Sequence, residues 1–270
     1  MNVYQKENNV MQQAAQELIS IVNKRFGKRL VVKSKHAPDD VASTLDWAAD
    51  RLLVKTITKN FPKDTLLTEE SSPDALIGPG RTWVIDPICG SRNLSKGLRV
   101  FVSNIALVEG DKVVAAWVVD HSRQRVLWDI GTGLHDGSKK VPHLSKTKSF
   151  PTVEIDWGHF YAVNAKVRRL YVEMASQMRL DRSMNFIELV SSLGFAYVAT
   201  GQFQATICIN INAWDFAAPC FLVEQNGGIV TNFDGSPWSL KSRSIVMAAT
   251  PALHKKLLTY IRAHHLQNIK

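Results

Sequence analysis

Residues 82–94 read TWVIDPICGSRNL, and the fold turns on how they are read. The β-branched and aromatic run Thr82-Trp83-Val84-Ile85 predicts a short strand. Asp86 ends it, Pro87 fixes a turn, and Gly90-Ser91 lead into a polar segment. Gly90 lets an anion come close to the backbone, and N–H groups at 90 and 91 can cradle phosphate oxygens. An ordinary Pro/Gly turn between two strands is the competing reading of the same residues.

The flanking sequence builds a sheet around this stretch. TLLT (65–68) predicts a strand running into Glu69-Glu70. FVSNIALVEG and DKVVAAWVVD predict a hairpin turning at Gly110-Asp111, and RQRVLWDIG a third antiparallel strand. Apolar residues at helical spacing predict helices over 8–26 (Met11, Ala14, Leu18, Ile19, Val22) and 44–61 (Ala48, Leu52, Leu53, Ile57, Phe61). LVVKSK between them predicts a short strand.

The composition turns polar around 143–152, the best boundary between two halves, 1–145 and 146–270. Beyond it, strands are predicted at GHFYAVN, MNFIEL, ATICINI, GIVTNF and SIVMAAT. Helices at AKVRRLYVEMASQM, SLGFAYVATG, AWDFAAPCFLVEQNG and PALHKKLLTYIRAHH are interspersed with them. Such alternation predicts a layered α/β fold.

Four acids stand at the ends of elements. Glu69 and Asp86 follow strands, while Asp46 and Asp215 begin helices. Carboxylates so placed can converge above a sheet, and hard oxygen ligands suit Mg²⁺. Singly, Asp46 and Asp215 read as acids favourable to a helix dipole, and Glu69-Glu70 as a solvated pair. The combination carries the information.

Composition narrows the partners. A net charge of +9 over 270 residues favours an anionic partner. The lysines and arginines are scattered, with no basic tail and no Arg-rich helix interleaved with aromatics. This favours a small phosphorylated substrate over nucleic acid. No run of eighteen apolar residues predicts a membrane span, and the N-terminus has no signal-peptide core. Cys89, Cys208 and Cys220 show no CxxC spacing, which predicts neither disulfide nor structural zinc and places the chain in a reducing cytoplasm. The eight histidines show no metal-ligand spacing, and Trp128, Trp157 and Trp238 read as packing residues.

WVIDPICGSRNL resembles the signature of the inositol monophosphatase family, an Asp-Pro-(Ile/Leu)-Asp-Gly-Thr run followed by Asn and an aromatic. TEESS is similar to the family's Gly-Glu-Glu strand end, and AWDFAAPCFLVEQNGG to its Trp-Asp-x-Ala-Ala helix. VKSKHAPDDVASTLDWAAD, GTGLHDGSKKVPHLS and DGSPWSLKSRSIVMAATPALHKKLL resemble further family segments, all in order from about Lys35 to Leu258. The resemblance implies an α/β/α/β/α sandwich, a homodimer, and metal-dependent hydrolysis of a sugar, polyol or nucleotide phosphate. It implies Glu69, Asp86 and the Ile88 carbonyl at a first metal, and Asp86 with Asp215 at a second. Asp46 and Ser91 would orient the attacking water, the Gly90 and Ser91 amides would bind phosphate, and Lys35 matches a basic position near a third metal.

Three departures qualify that expectation. Cys89 replaces the second Asp of the signature, and a soft thiol replaces a hard carboxylate poorly for Mg²⁺. Weaker binding, or Mn²⁺ or Zn²⁺ at the second site, is expected, with a catalytically impaired binding or regulatory protein as the alternative. Ser91 replaces the usual Thr but keeps the hydroxyl. Cys208 stands where inositol-specific members carry Glu, and Leu189-Val190-Ser191 replace a Gly-Thr-Ala loop. Ser191, Cys208, Asn210, Asn212 and Lys35 are therefore the expected substrate contacts.

Overall fold

A computed structural model describes residues 3–28, 31–34, 41–144 and 150–268. Lys35 lies outside them, as does much of the polar stretch at 143–152. Helix α1 (Gln5–Arg25) leads to a two-stranded ribbon, β1 (Val32–Ser34) and β2 (Val41–Ser43), and to α2 (Thr44–Asn60). Next come β3 (Thr65–Thr68), β4 (Arg81–Cys89), the short α3 (Ser91–Ser95), β5 (Val102–Glu109), β6 (Lys112–Asp120) and β7 (Arg125–Asp129). Two short strands, β8 (His135–Asp136) and β9 (Lys139–Lys140), close a seven-stranded sheet ordered β3-β4-β5-β6-β7-β8-β9. Only the β3–β4 pair is parallel.

The second sheet contains β10 (Thr152–Asp156), β11 (Asn185–Ile187), β12 (Ala205–Ile209), β13 (Ile229–Asn232) and β14 (Ser244–Ala248), ordered β11-β10-β12-β14-β13. Its helices are α4 (Ala165–Leu180), α5 (Leu193–Ala199), α6 (Ala213–Gln225) and α7 (Pro251–Ala263).

Period-two alternation sorts the strands into layers. On β4, Trp83 and Ile85 pack with Leu18 of α1 and Leu53 of α2, while Val84 faces Phe216 and Leu222 of α6. On β14, Ile245 and Met247 join that middle layer, while Val246 and Ala248 face Leu257 of α7 and Met174 of α4. Helices α5 and α6 are thus sandwiched between two sheets, each covered outside by a helix pair. This is the α/β/α/β/α order. Helix α6 is buried around most of its circumference, so it reads apolar throughout rather than amphipathic.

Two local readings differ from expectation. The strand expected at GHFYAVN lies earlier, at Thr152–Asp156, and Phe160–Ala162 form a single 3₁₀ turn. The strand expected to end at Asp86 continues to Cys89 through a bulge. Asp86 pairs with Asn104 and Cys89 with Val102, so Pro87 and Ile88 together oppose Ser103. Proline donates no N–H to the ladder, and an extra residue in one strand is the remedy.

Candidate active site

The bulge decides which way the site residues point. Inserting one residue re-aims the strand, so that Asp86, Ile88 and Cys89 all line one cleft of about 100 Å³. The bulged backbone is held from below. Ser103 Oγ donates to the Pro87 carbonyl at 2.6 Å and lies 2.9 Å from His121 Nε2. With the Ser103 proton committed to Pro87, His121 Nε2–H is the donor in that second contact. Its Nδ1 is buried with no partner, so a proton there would find no acceptor. Burial, with Arg99 nearby, pushes the His121 pKa down to about 3.

Asp46 and Ser91 meet across the cleft floor. Asp46 is 1% exposed and closes the N-terminus of α2 as half of a capping box with Ser43. Its Oδ2 accepts from the Ser43 N–H at 3.0 Å, and its Oδ1 accepts from Ser91 Oγ. Ser91 Oγ also lies 2.9 Å from the Ile88 carbonyl. One hydroxyl proton serves one of these acceptors at a time. When Asp46 takes it, an Oγ lone pair is left to accept from a water. Burial pushes the Asp46 carboxyl up, and the Ser43 and Ser91 hydrogen bonds oppose that shift.

Asp86, Cys89 and Asp215 bring a ligand atom each within 4.8 Å of one another, the one such group among the described residues. Burial pushes the Asp86 carboxyl well up, and the neighbouring Glu69 and Asp215 carboxylates add to the shift. Burial, then Asp86 and Asp215, push the Cys89 thiol up as well. Crowded, mutually repelling hard donors fit a divalent cation, whose charge would relieve them. Glu69, Asp86 and the Ile88 carbonyl suit Mg²⁺, whereas a neutral thiol beside Asp86 and Asp215 is a poor hard-ion ligand.

The rest of the cleft locks these groups in place. Cys89 Sγ accepts the Ser192 N–H at 3.3 Å, and Ser191 Oγ donates to the Cys89 carbonyl at 2.8 Å. Asn104, buried on β5, donates to Ser192 Oγ at 2.7 Å and to the Asp215 carbonyl at 3.1 Å, tying the starts of α5 and α6 to the sheet. Gly90 has φ +113°, and a Cβ there would lie 2.8 Å from the Val100 carbonyl oxygen. Only glycine takes that conformation at so close an approach.

Of the expected substrate contacts, Ser191 lines the cleft. Cys208 does not: alternation along β12 turns it into the middle layer, 1% exposed. It touches the site indirectly, its Sγ donating to Asp156 Oδ1 at 3.3 Å. Asn210 and Asn212 are also displaced from the expected role. Arg243 donates to Asn212 Oδ1 at 2.6 Å and to Asn210 Oδ1 at 2.9 Å. Their amide groups then hold His159, through its carbonyl (3.0 Å from Asn210 Nδ2) and its Nε2 (3.0 Å from Asn212 Nδ2). Because Arg243 fixes Asn212 Oδ1, the amide nitrogen faces His159, and Nε2 is the acceptor.

Arg92, Asp156 and His159 also line the cleft, although the sequence reading assigned them no role there. His159 Nε2 lies 3.5 Å from Asp215 Oδ2. Asp156 ends β10, so the rule that singled out Glu69 and Asp86 applies to it as well. Misplacing that strand hid the signal.

The site and fold define a layered phosphatase-like class, and comparison with known proteins gives the family. The sequence profile of the inositol monophosphatase family matches residues 4–266. The chain is 24% identical over 242 residues to an inositol-1-monophosphatase of Bacillus subtilis, covering 87% of this chain and 89% of that one. It is 28% identical over 264 residues to the Nus factor SuhB of Escherichia coli K12, covering 94% and 95%. An inositol monophosphatase structure from Thermotoga maritima superposes with a TM-score of 0.83 at 22% identity, over 96% of this chain and 98% of the other. The chain belongs to the inositol monophosphatase family, a family of metal-dependent phosphomonoesterases.

Proposed function

We propose that the chain hydrolyses a phosphate monoester of a sugar, polyol or nucleotide with Mg²⁺. The observation that carries this reading is the Ser91–Asp46 contact placed beside the Glu69–Asp86–Asp215 carboxylates. Glu69, Asp86 and the Ile88 carbonyl would hold one ion, and Asp86 with Asp215 a second. Bound metal supplies charge neutralisation of the phosphate and a lowered pKa for water. The chain's own groups do the rest. Ser91 accepts a proton from the attacking water while Asp46 takes the Ser91 proton. The Gly90 and Ser91 amides hold phosphate oxygens, and Asn104 keeps Asp215 in register.

A second reading, a member with impaired catalysis and a regulatory role, is favoured by Cys89 at the second ion. One relative's name, Nus factor SuhB, points the same way for that relative. Manganese or zinc at the Cys89 position is a variant of the first reading, since both accept softer ligands. Three free cysteines fit a reducing cytoplasm, and no described helix is long and apolar enough to cross a membrane. A homodimer completes the proposal, and light scattering measures it. The experiment for the activity is phosphate release from a panel of monoesters with Mg²⁺, Mn²⁺ or Zn²⁺. Release by the unaltered chain that vanishes in Asp86→Asn supports the first reading. No release under any metal favours the second.

A further inference from the structure

A cavity of about 400 Å³ lies at the edge of the second sheet and shares no lining residue with the catalytic cleft. Its volume falls in the range of small-molecule sites, about 300–1,000 Å³. One wall is built from the connection between β13 and β14, where residues 239–244 read SLKSRS, and the other from Gln267 and Asn268 beyond α7.

The connection supplies hydroxyl donors. Strand alternation sets Ser244 on the face of β14 that carries Val246 and Ala248, towards α7. Ser244 is 3% exposed, and its Oγ has no hydrogen-bond partner among the described residues. A buried hydroxyl left unpaired costs stability, and a ligand that pairs with it recovers that loss. Ser242 Oγ accepts the Ser239 N–H at 2.9 Å, and Ser239 Oγ accepts the Lys241 N–H at 3.3 Å. Both of those hydroxyl protons are left to donate. On the facing wall, Gln267 Oε1 is also buried without a partner among the described residues.

Charge points the same way. The charged groups of the lining are Lys241, Arg243 and Asp234, two cations against one carboxylate. Asp234 is engaged by Ser236, accepting its N–H at 2.8 Å and its hydroxyl at 2.6 Å. Neither cation pairs with a carboxylate among the described residues. Arg243 gives N–H groups to Asn210 and Asn212, which are neutral, so its charge and its other N–H groups are kept for a ligand. A lysine, a guanidinium and three serine hydroxyls make a donor set for a phosphate group. The uncharged amides of Gln267 and Asn268 opposite suit polyol hydroxyls.

Arg243 also ties this cavity to the catalytic cleft. Its carbonyl accepts the Ile211 N–H at 2.9 Å, and its guanidinium holds Asn212 Oδ1. Asn212 in turn gives its backbone N–H to Asp215 Oδ2 at 2.7 Å and its amide to His159 Nε2 at 3.0 Å.

We infer that this cavity is an effector site for the phosphate group of a small molecule, and that Arg243 relays its occupancy to His159 and Asp215. A dianion that draws the guanidinium towards Lys241 and Ser244 pulls on both cleft residues through one asparagine. The binding site stands apart from the hydrolytic reading. Only the relay's consequence for turnover rests on it.

The test measures binding by calorimetry without divalent metal, a condition in which the carboxylate-lined cleft repels anions. Inorganic phosphate and glycerol 3-phosphate are the probes. Saturation below about 10 mM is expected in the unaltered chain and in Asp86→Asn, with binding about tenfold weaker or more in Lys241→Ala and in Ser244→Ala. No saturation, or equal affinity in the unaltered chain and both cavity variants, overturns the inference. Loss of binding in Asp86→Asn also overturns it, because the anion is then in the cleft. Tighter binding of glycerol 3-phosphate assigns a phosphorylated polyol, and equal binding assigns free phosphate. Lys241 is exposed and Ser244→Ala removes only an unpaired hydroxyl, so the urea midpoints of both variants should match the unaltered chain. The relay is read from the imidazole nitrogen resonances of His159. Phosphate should shift them in the unaltered chain and leave them in place in Lys241→Ala, and phosphate binding without a shift overturns the relay. None of these readouts needs turnover, so a failure here and a failure of the hydrolytic reading are told apart.

Discussion

Cys89 Sγ accepts the backbone N–H of Ser192 at 3.3 Å, so the thiol, which the family resemblance puts at the position of a metal-binding carboxylate, is wired to the start of α5. The sulfur sits with Asp86 and Asp215 in one ligand group, yet burial keeps it protonated. A carboxylate in its place adds a hard, charged donor. Cys89→Asp is expected to lower the Mg²⁺ concentration for half-maximal activity by about tenfold or more. Metal titration of the steady-state rate checks this, and an unchanged midpoint would show that the thiol costs the site nothing.

Asp46 and Ser91 are expected to act as one unit. Asp46→Asn and Ser91→Ala should each lower kcat by about a hundredfold or more, because either change breaks the proton path from water. The double variant should be little worse than either single one, the signature of residues that share a function. Independent, multiplying losses in the double variant would argue against the pairing.

Gly90 tests the backbone of the cradle. At φ +113°, an added Cβ would lie 2.8 Å from the Val100 oxygen and 3.0 Å from Phe101 Cβ. Gly90→Ala is expected to destabilise the chain by about 2 kcal/mol or more. Gly110 has φ +63° with nothing within 4 Å, so Gly110→Ala should cost only about 1 kcal/mol. Urea midpoints of the two variants give the comparison.

His121 supplies the pH dependence. Its folded pKa of about 3 lies below the ordinary 6.5, so the unfolded chain binds the extra proton between those values. Stability from this group is complete above pH 6.5 and drains away as pH falls towards 3, by an amount on the order of 5 kcal/mol. His121→Gln, which retains a donor for Ser103, should flatten the fall in urea midpoint between pH 7 and pH 4. An equally steep fall in the variant would assign the pH dependence to other groups.

Much of this was legible in the residues. Asp46, Glu69, Asp86 and Asp215 stand out because each ends or begins an element, and β5–β6 pairing follows from the Gly110-Asp111 turn. The bulge was not legible, since Pro87 reads as the end of a strand when Ser103 and His121 are not known to lie beneath it. His159 reaches Asp215 through a loop whose strand was placed too late in the chain. Cys208 was expected as a substrate contact because it matches the position of a family Glu, whereas packing between two sheets decides which face is buried. Ser244 and Gln267 are far apart in sequence, and only the fold brings them to one cavity.

The central claim is that these carboxylates form a working Mg²⁺-dependent hydrolytic site. The most direct measurement is inorganic phosphate release by the unaltered chain as Mg²⁺ is titrated, beside Asp86→Asn. Saturable, Mg²⁺-dependent release that is lost in the variant is the predicted result. No release from any monoester at any Mg²⁺ concentration, or release equal in both proteins, would contradict it.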